Sequence, residues 1–219
     1  MSTFKPVPAG IMFDLDYCMF DTSSMEKGLV PVFQEHIRTQ AGFKNHNEDE
    51  VVSFIWSSAP DVVVTRFGLG EAEARNFLDF YAELPVPLEA ELYADVIQTL
   101  ERLRSVGVPM FLVTKGEEPF QRRKVAHCGI GHFFQEVIVV GNRCPTFATK
   151  FDAFEDIFLR YNFTPENTWA VGDGKEEIEA GLKLECMTAQ TLRPTVTRLG
   201  QAHHHISSLE ALLPLMGMR

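Results

Sequence analysis

Three short apolar runs in the second half of the chain restrict its fold more than any other feature. Val108-Pro109-Met110-Phe111-Leu112-Val113 ends at Thr114-Lys115-Gly116, Val137 to Val140 ends at Gly141-Asn142, and Trp169-Ala170-Val171 ends at Gly172-Asp173-Gly174. Runs without in-and-out alternation suit strands covered on both faces. Helical stripes separate them. Tyr93, Val96, Ile97, Leu100 and Leu103 recur at three- and four-residue spacing before a stop at Gly107, and Phe151, Phe154, Ile157, Phe158 and Tyr161 repeat the pattern. A third helix is expected from near Lys175 to about Leu184. Strands alternating with helices over short connections predict an α/β fold: a parallel sheet with helices on both faces, a three-layer Rossmann-like core. Functional groups in such a sheet gather at the C-terminal ends of the strands.

The first half reads differently. Met12 to Asp14 closes a first strand, and from Thr22 to about Glu91 the patterns are helical, with no expected strand. Phe77, Phe80, Tyr81 and Leu84 form one stripe. Val51, Val52, Phe54, Ile55 and Trp56 form a shorter one, preceded by Glu48-Asp49-Glu50, whose charges favour a helix N-terminus. Pro85-Val86-Pro87 reads as a return linker. The expected organisation is a discontinuous core (1–21 and 92–219) interrupted by an α-helical insertion (22–91).

Composition sets the outer bounds. The 219 residues, 45% of them apolar, supply one ordinary core plus such an insertion. Thirty acids against twenty bases give a net charge of -10, which argues against nucleic acid or an anionic membrane as main partner. No apolar run approaches a membrane span. Ile11-Met12-Phe13 is cut short by Asp14 and lacks a small-residue cleavage site, so no signal peptide is expected. Cys18, Cys128, Cys144 and Cys186 are scattered without a Cys-x-x-Cys pair, which fits a reducing, cytoplasmic setting.

Chemistry concentrates in Phe13-Asp14-Leu15-Asp16-Tyr17-Cys18-Met19-Phe20-Asp21-Thr22. Asp14 and Asp16 would face one side if the strand continued, a costly pair of like charges unless a cation intervenes or one is protonated. Thr114, Lys150 and Asp173 fall at strand ends or at the start of the following helix, so a parallel sheet brings all five together along one edge. Three carboxylates with oxygen donors suit a hard cation such as Mg²⁺. The cation, Thr114 and Lys150 suit a phosphoryl group.

These strings resemble the four ordered motifs of the haloacid dehalogenase-like hydrolase superfamily. Phe13-Asp14-Leu15-Asp16 stands for the first, Phe111-Leu112-Val113-Thr114 for the second, Thr149-Lys150-Phe151 for the third, and Val171-Gly172-Asp173-Gly174-Lys175-Glu176-Glu177 for the fourth. The resemblance spans nearly the whole chain, and the insertion stands where that superfamily carries a small helical cap. It implies a phosphatase acting on a small phosphorylated metabolite. Asp14 would be the nucleophile that forms an aspartyl-phosphate, and Asp16 the general acid and base. Thr114 and Lys150 would bind the phosphate, and Mg²⁺ would be held by Asp14, Asp16 (through its backbone carbonyl) and Asp173. Dehalogenase members lack a carboxylate at the Asp16 position, so Asp16 favours phosphoryl transfer. A phosphotransferase or sugar-phosphate mutase, and a non-catalytic binding protein that kept the fold, remain as alternatives.

The chain departs from the pattern at Tyr17 (usually Gly), Cys18 (usually Thr), Gly174 (usually Ser) and Glu177 (usually Asp). Cys18 is expected to be a small apolar filler. Glu177 reaches further than Asp and could orient metal-bound water. Lys124, within Arg122-Arg123-Lys124, is expected on a solvated helix face, and Lys115 at the surface. Three consecutive side chains in His203-His204-His205 point apart and do not suit one metal. Gly129-Ile130-Gly131 follows a helix, unlike a dinucleotide fingerprint, and Ser57-Ser58 lacks a nucleophile-elbow context.

Overall fold

The computed structural model describes residues 7–141 and 143–218. Six parallel strands form one sheet in the order β5-β4-β1-β6-β7-β8: β1 is Gly10–Phe13, β4 Met110–Lys115, β5 Glu136–Val140, β6 Thr168–Gly172, β7 Met187–Thr191 and β8 His204–Ile206. Pairing is in register at the centre, where Met12 lies between Phe111 and Ala170. The chain leaves β1 for β4 and β5 on one side, then returns to β6, β7 and β8 on the other. That reversal opens a crevice beyond the strand ends, the usual place for a ligand in a doubly wound sheet.

Both faces of the central strands β1, β4 and β6 are covered, as the continuous apolar runs require. Successive residues of β1 and β4 point to opposite layers. Met12, Phe111 and Val113 pack with Phe154 and Ile157 of α7 (Lys150–Tyr161) and Ala180 of α8 (Lys175–Lys183). Ile11, Phe13, Met110 and Leu112 pack with Leu100 and Leu103 of α5 (Val96–Ser105) and Val125 of α6 (Glu118–His127). Gly181 lets α8 lie close on the sheet, since a Cβ there would stand 2.6 Å from that of Ala170. Near the C-terminal end a 3-10 turn (Leu209–Ala211) packs against α5 and leads into α9 (Leu212–Leu215).

Between β1 and α5 the chain builds four helices: α1 (Glu26–Thr39), α2 (Glu48–Ser57), α3 (Pro60–Phe67) and α4 (Glu71–Glu83). Asn47 caps α2 by accepting from Glu50 N at 3.1 Å, ahead of the acidic first turn. Phe33, Phe43, Phe67 and Phe77 fill this helical cap with edge-to-face contacts. Two short strands lie at its borders, where the sequence predicts none. β2 (Phe20–Asp21) pairs antiparallel with β3 (Glu91–Leu92), so the outgoing and returning chains are tied together. Two residues per strand are too few for a periodic signal in sequence, and this pair exists only because distant segments meet.

Arg143 crosses to Asp79 of α4 at 2.7 Å, and Arg123 donates to the carbonyls of Ala82 and Leu84 at the end of α4. No helix among the described residues is long and apolar enough to cross a membrane.

Candidate active site

Asp14 stands one residue past β1, its amide still bonded to Val171 O of β6 at 2.9 Å. The strand does not continue to Asp16. Leu15 O accepts from both Met19 N and Phe20 N, and the chain folds into a tight loop through Tyr17. Tyr17 has φ +51°, a left-handed conformation that glycine adopts freely and a tyrosine pays for. The two aspartates therefore do not share one face; the loop sends them to different lysines.

Asp14 is 6% exposed and lies 2.7 Å from Lys150 Nζ. Lys150 opens α7 behind the capping box of Thr149 and Asp152, which fixes where that helix begins. The same ammonium reaches Glu177 at 2.8 Å, and Glu177 also accepts from Gly174 N. Gly172 makes room for this carboxylate, since a Cβ there would meet Glu177 Cγ at 2.5 Å. Burial pushes Lys150 down, but Asp14 and Glu177 outweigh it and the ammonium stays firmly charged. Burial likewise raises Glu177, yet Lys150 and the Gly174 amide hold it below the usual range.

Asp14, Asp173 and Glu177 form a cluster in which one carboxylate oxygen from each lies within 4.8 Å of the others. Burial, then mutual repulsion, pushes Asp173 well above the usual range, and Asp14 is raised for the same reasons despite Lys150. Carboxylates crowded so closely resist ionising together without a cation. An all-oxygen, acidic donor set of this kind fits a hard divalent ion. Gln190, fully buried in β7, donates to Asp173 O at 2.8 Å and pins that loop.

Asp16 is held elsewhere. Its two carboxylate oxygens lie 2.6 and 2.7 Å from Lys124 Nζ, and it also accepts from Gln121 Nε2 at 3.0 Å and Thr22 Oγ1 at 2.7 Å. Burial raises this group, but Lys124 and the hydrogen bonds win and keep it ionised. Its side chain is thus outside the convergent cluster, and Glu177 stands in that place. Any hold of Asp16 on a cation falls to its backbone carbonyl.

The expectation for Lys124 is corrected. It is 2% exposed, on the face of α6 that also buries Phe120, Gln121 and Val125. Of the basic run, Arg122 alone is exposed, paired with Glu118 at 2.7 Å. The signal was present in the helical spacing: Phe120, Gln121, Lys124 and Val125 form one face, which places a lysine inside an otherwise buried stripe. Lys115 is half-buried and meets Glu176 at 2.6 Å.

Thr114 is 1% exposed, in β4, and its Oγ1 has no hydrogen-bond partner among the described residues. With Asp14, Asp16, Lys150 and Asp173 it lines one cavity of about 410 Å³ between the sheet edge and the cap. A buried hydroxyl without a partner is costly unless a ligand oxygen meets it.

Arg193 carries no sequence signal but organises the loop. Its guanidinium donates to Cys18 O at 2.8 Å and to Asp95 Oδ2 at 3.1 Å, and lies 4.0 Å from the centre of the Tyr93 ring. Cys18 is fully buried, and burial pushes its thiol well up, so it packs as the expected filler. The three histidines act separately: His203 Nδ1 accepts from Thr188 N, His204 stacks on Trp169, and His205 meets Leu199 O.

Residues 11–191 match the family model described as haloacid dehalogenase-like hydrolase. The chain belongs to the haloacid dehalogenase-like hydrolase family. It is 29% identical over 144 residues to a phosphoglycolate phosphatase of Rhodobacter capsulatus, covering 62% of this chain and 63% of that protein. It is 26% identical over 225 residues to a phosphoglycolate phosphatase of Pectobacterium atrosepticum, covering 95% and 92%. The chain thus spans a little under two thirds of the first of these relatives and most of the second. The crystal structure of a haloacid dehalogenase-like phosphatase from Thermococcus onnurineus superposes with a TM-score of 0.70 at 21% identity, over 95% of this chain and 97% of that one, a likeness of fold.

Proposed function

We propose that this protein is a Mg²⁺-dependent phosphatase that hydrolyses a small phosphomonoester through an aspartyl-phosphate on Asp14. The observation that carries the reading is the unpaired, buried Thr114 hydroxyl in the same cavity as Asp14 and its Lys150 partner. A phosphoryl oxygen would complete Thr114, and Lys150 would neutralise another. Asp14, whose charged form Lys150 favours and a bound cation would complete, would attack phosphorus. The bond from phosphorus to the alcohol oxygen breaks and that oxygen takes a proton from solvent; water then attacks the phosphorus of the acyl-phosphate, giving up a proton, and inorganic phosphate leaves with Asp14 restored.

Asp16, kept as a carboxylate by Lys124, is in the form that accepts the proton of that water. Asp14, Asp173 and Glu177, with the Asp16 backbone carbonyl, would hold the Mg²⁺, whose charge offsets the repulsion between a carboxylate nucleophile and a phosphate dianion. The acidic surface and four free cysteines favour a cytoplasmic setting and a small-molecule substrate over nucleic acid or membrane.

Phosphate release from a panel of monoesters with Mg²⁺ or EDTA tests the reading. Turnover should require the metal and vanish in Asp14→Asn. Equal release by wild type and Asp14→Asn would remove Asp14 as nucleophile, and isomer formation without free phosphate would make the protein a mutase.

A further inference from the structure

The two ends of the cavity differ in chemistry. Every ammonium group that lines it belongs to the core: Lys115, Lys124, Lys150 and Lys175. Each already faces a carboxylate, at 2.6 Å (Glu176), 2.6 Å (Asp16), 2.7 Å (Asp14) and 3.4 Å (Glu179) respectively. Opposite them the cap supplies Met25, Leu29, Ile55, Trp56, Val62 and Tyr81, together with the Ser57 to Pro60 turn, and no charged side chain among the described residues. The Ser57 hydroxyl is turned back on Ser53 O and Phe54 O. The N-terminus of α3 also borders this wall. Of its first amides, Val62 N already donates to Asp61 Oδ1 at 2.9 Å and Val63 N to Ala59 O at 3.2 Å, and the Asp61 carboxylate there disfavours a second anion.

A carboxylate on the far end of a substrate would therefore be buried against apolar and aromatic side chains with no counter-charge, which disfavours its binding. The space also exceeds what a two-carbon acid fills. At about 410 Å³ it lies in the range of cavities that enclose drug-sized molecules.

From this division, and resting on the phosphatase reading above, we infer that the substrate is a phosphomonoester of an uncharged alcohol with an apolar or aromatic body, about the size of a nucleoside. Phosphoglycolate, the compound in the names of the relatives, does not match this wall. The phosphoryl group sits on the core side, and the neutral body lies along Leu29, Ile55, Trp56 and Tyr81.

The test compares kcat/KM for two phosphomonoesters of neutral alcohols, thymidine 5′-monophosphate and 2-phenylethyl phosphate, with that for 2-phosphoglycolate. Acetyl phosphate serves as a small reporter of the chemistry alone. At least one ester of a neutral alcohol should exceed phosphoglycolate by about tenfold or more. Ser58→Arg, which places a cation on the cap wall, should move the ratio about tenfold toward phosphoglycolate. A ratio under tenfold, or one favouring phosphoglycolate, with acetyl phosphate still hydrolysed, overturns this inference and leaves the phosphatase reading standing. Failure to turn over any of the four compounds overturns both.

Discussion

Lys124 Nζ sits within 2.7 Å of both carboxylate oxygens of Asp16, joining residues 108 positions apart in a pair whose lysine is buried and whose carboxylate is partly open to the cavity. Removing the ammonium leaves a partly buried carboxylate without its counter-charge, which shifts Asp16 toward its protonated form. Lys124→Met should lower kcat for phosphomonoester hydrolysis by about 100-fold, the scale of losing acid-base assistance. Lys124→Arg should recover part of it. Steady-state kinetics beside a thermal melt checks this; a melt that falls while kcat holds would assign Lys124 to the core alone.

Thr114→Val separates binding from stability. The hydroxyl has no partner to lose, so the valine should melt no lower than wild type, and relief of an unsatisfied polar atom can add about 1 kcal/mol. Phosphomonoester kcat/KM should nonetheless drop by about tenfold or more, for want of a group on the phosphoryl oxygen. A lower melting temperature with unchanged kinetics would contradict both halves.

The carboxylate cluster makes a prediction about metal that needs no substrate. Mg²⁺ should raise the Tm of the wild-type protein, because an ion that binds only the folded state stabilises it. Asp173→Asn relieves the repulsion that lifts Asp14 and Asp173, so in EDTA the variant should melt at or above the wild-type temperature. The Mg²⁺-induced rise should be lost. Scanning calorimetry with and without the ion reads both effects.

Asp95 gives a pH dependence of stability. Burial raises its carboxyl, but the hydrogen bond and charge of Arg193, with Leu209 N, hold it below the usual range. A group depressed in the folded state stabilises fully above its unfolded value, about 3.9, and loses that contribution as pH falls through the folded value. Asp95→Asn should therefore melt lower than wild type at neutral pH, by about 2 kcal/mol in stability. The gap should narrow below about pH 4. A gap independent of pH would show that Arg193 draws little from the Asp95 charge.

The sheet was legible because a strand buried on both faces leaves an unbroken apolar run, as in Phe111-Leu112-Val113, whatever packs against it. Asp14, Thr114, Lys150 and Asp173 were legible for a related reason: a parallel sheet fixes which strand ends are neighbours, so position alone gathers them. Lys124 was only partly legible: helical spacing places it on the buried face with Phe120 and Gln121, but the preceding Arg122-Arg123 mimics a solvated run and its partner Asp16 lies far off in sequence. Arg193 is silent for the same reason, being defined by Cys18 O and Asp95 on remote segments. The reach of Glu177 was visible, but its turn toward Lys150 depends on the space left by Gly172.

The pairing of Phe20–Asp21 with Glu91–Leu92 leaves the cap tethered by two legs that are bonded to each other. Legs joined in this way cannot slide past each other while the pairing holds, so any displacement of the cap against the core would have to carry both legs together. Such a movement would also have to break the contacts of Arg123 and Arg143 with α4. On the phosphatase reading, entry of substrate and escape of the alcohol would then depend on one concerted movement.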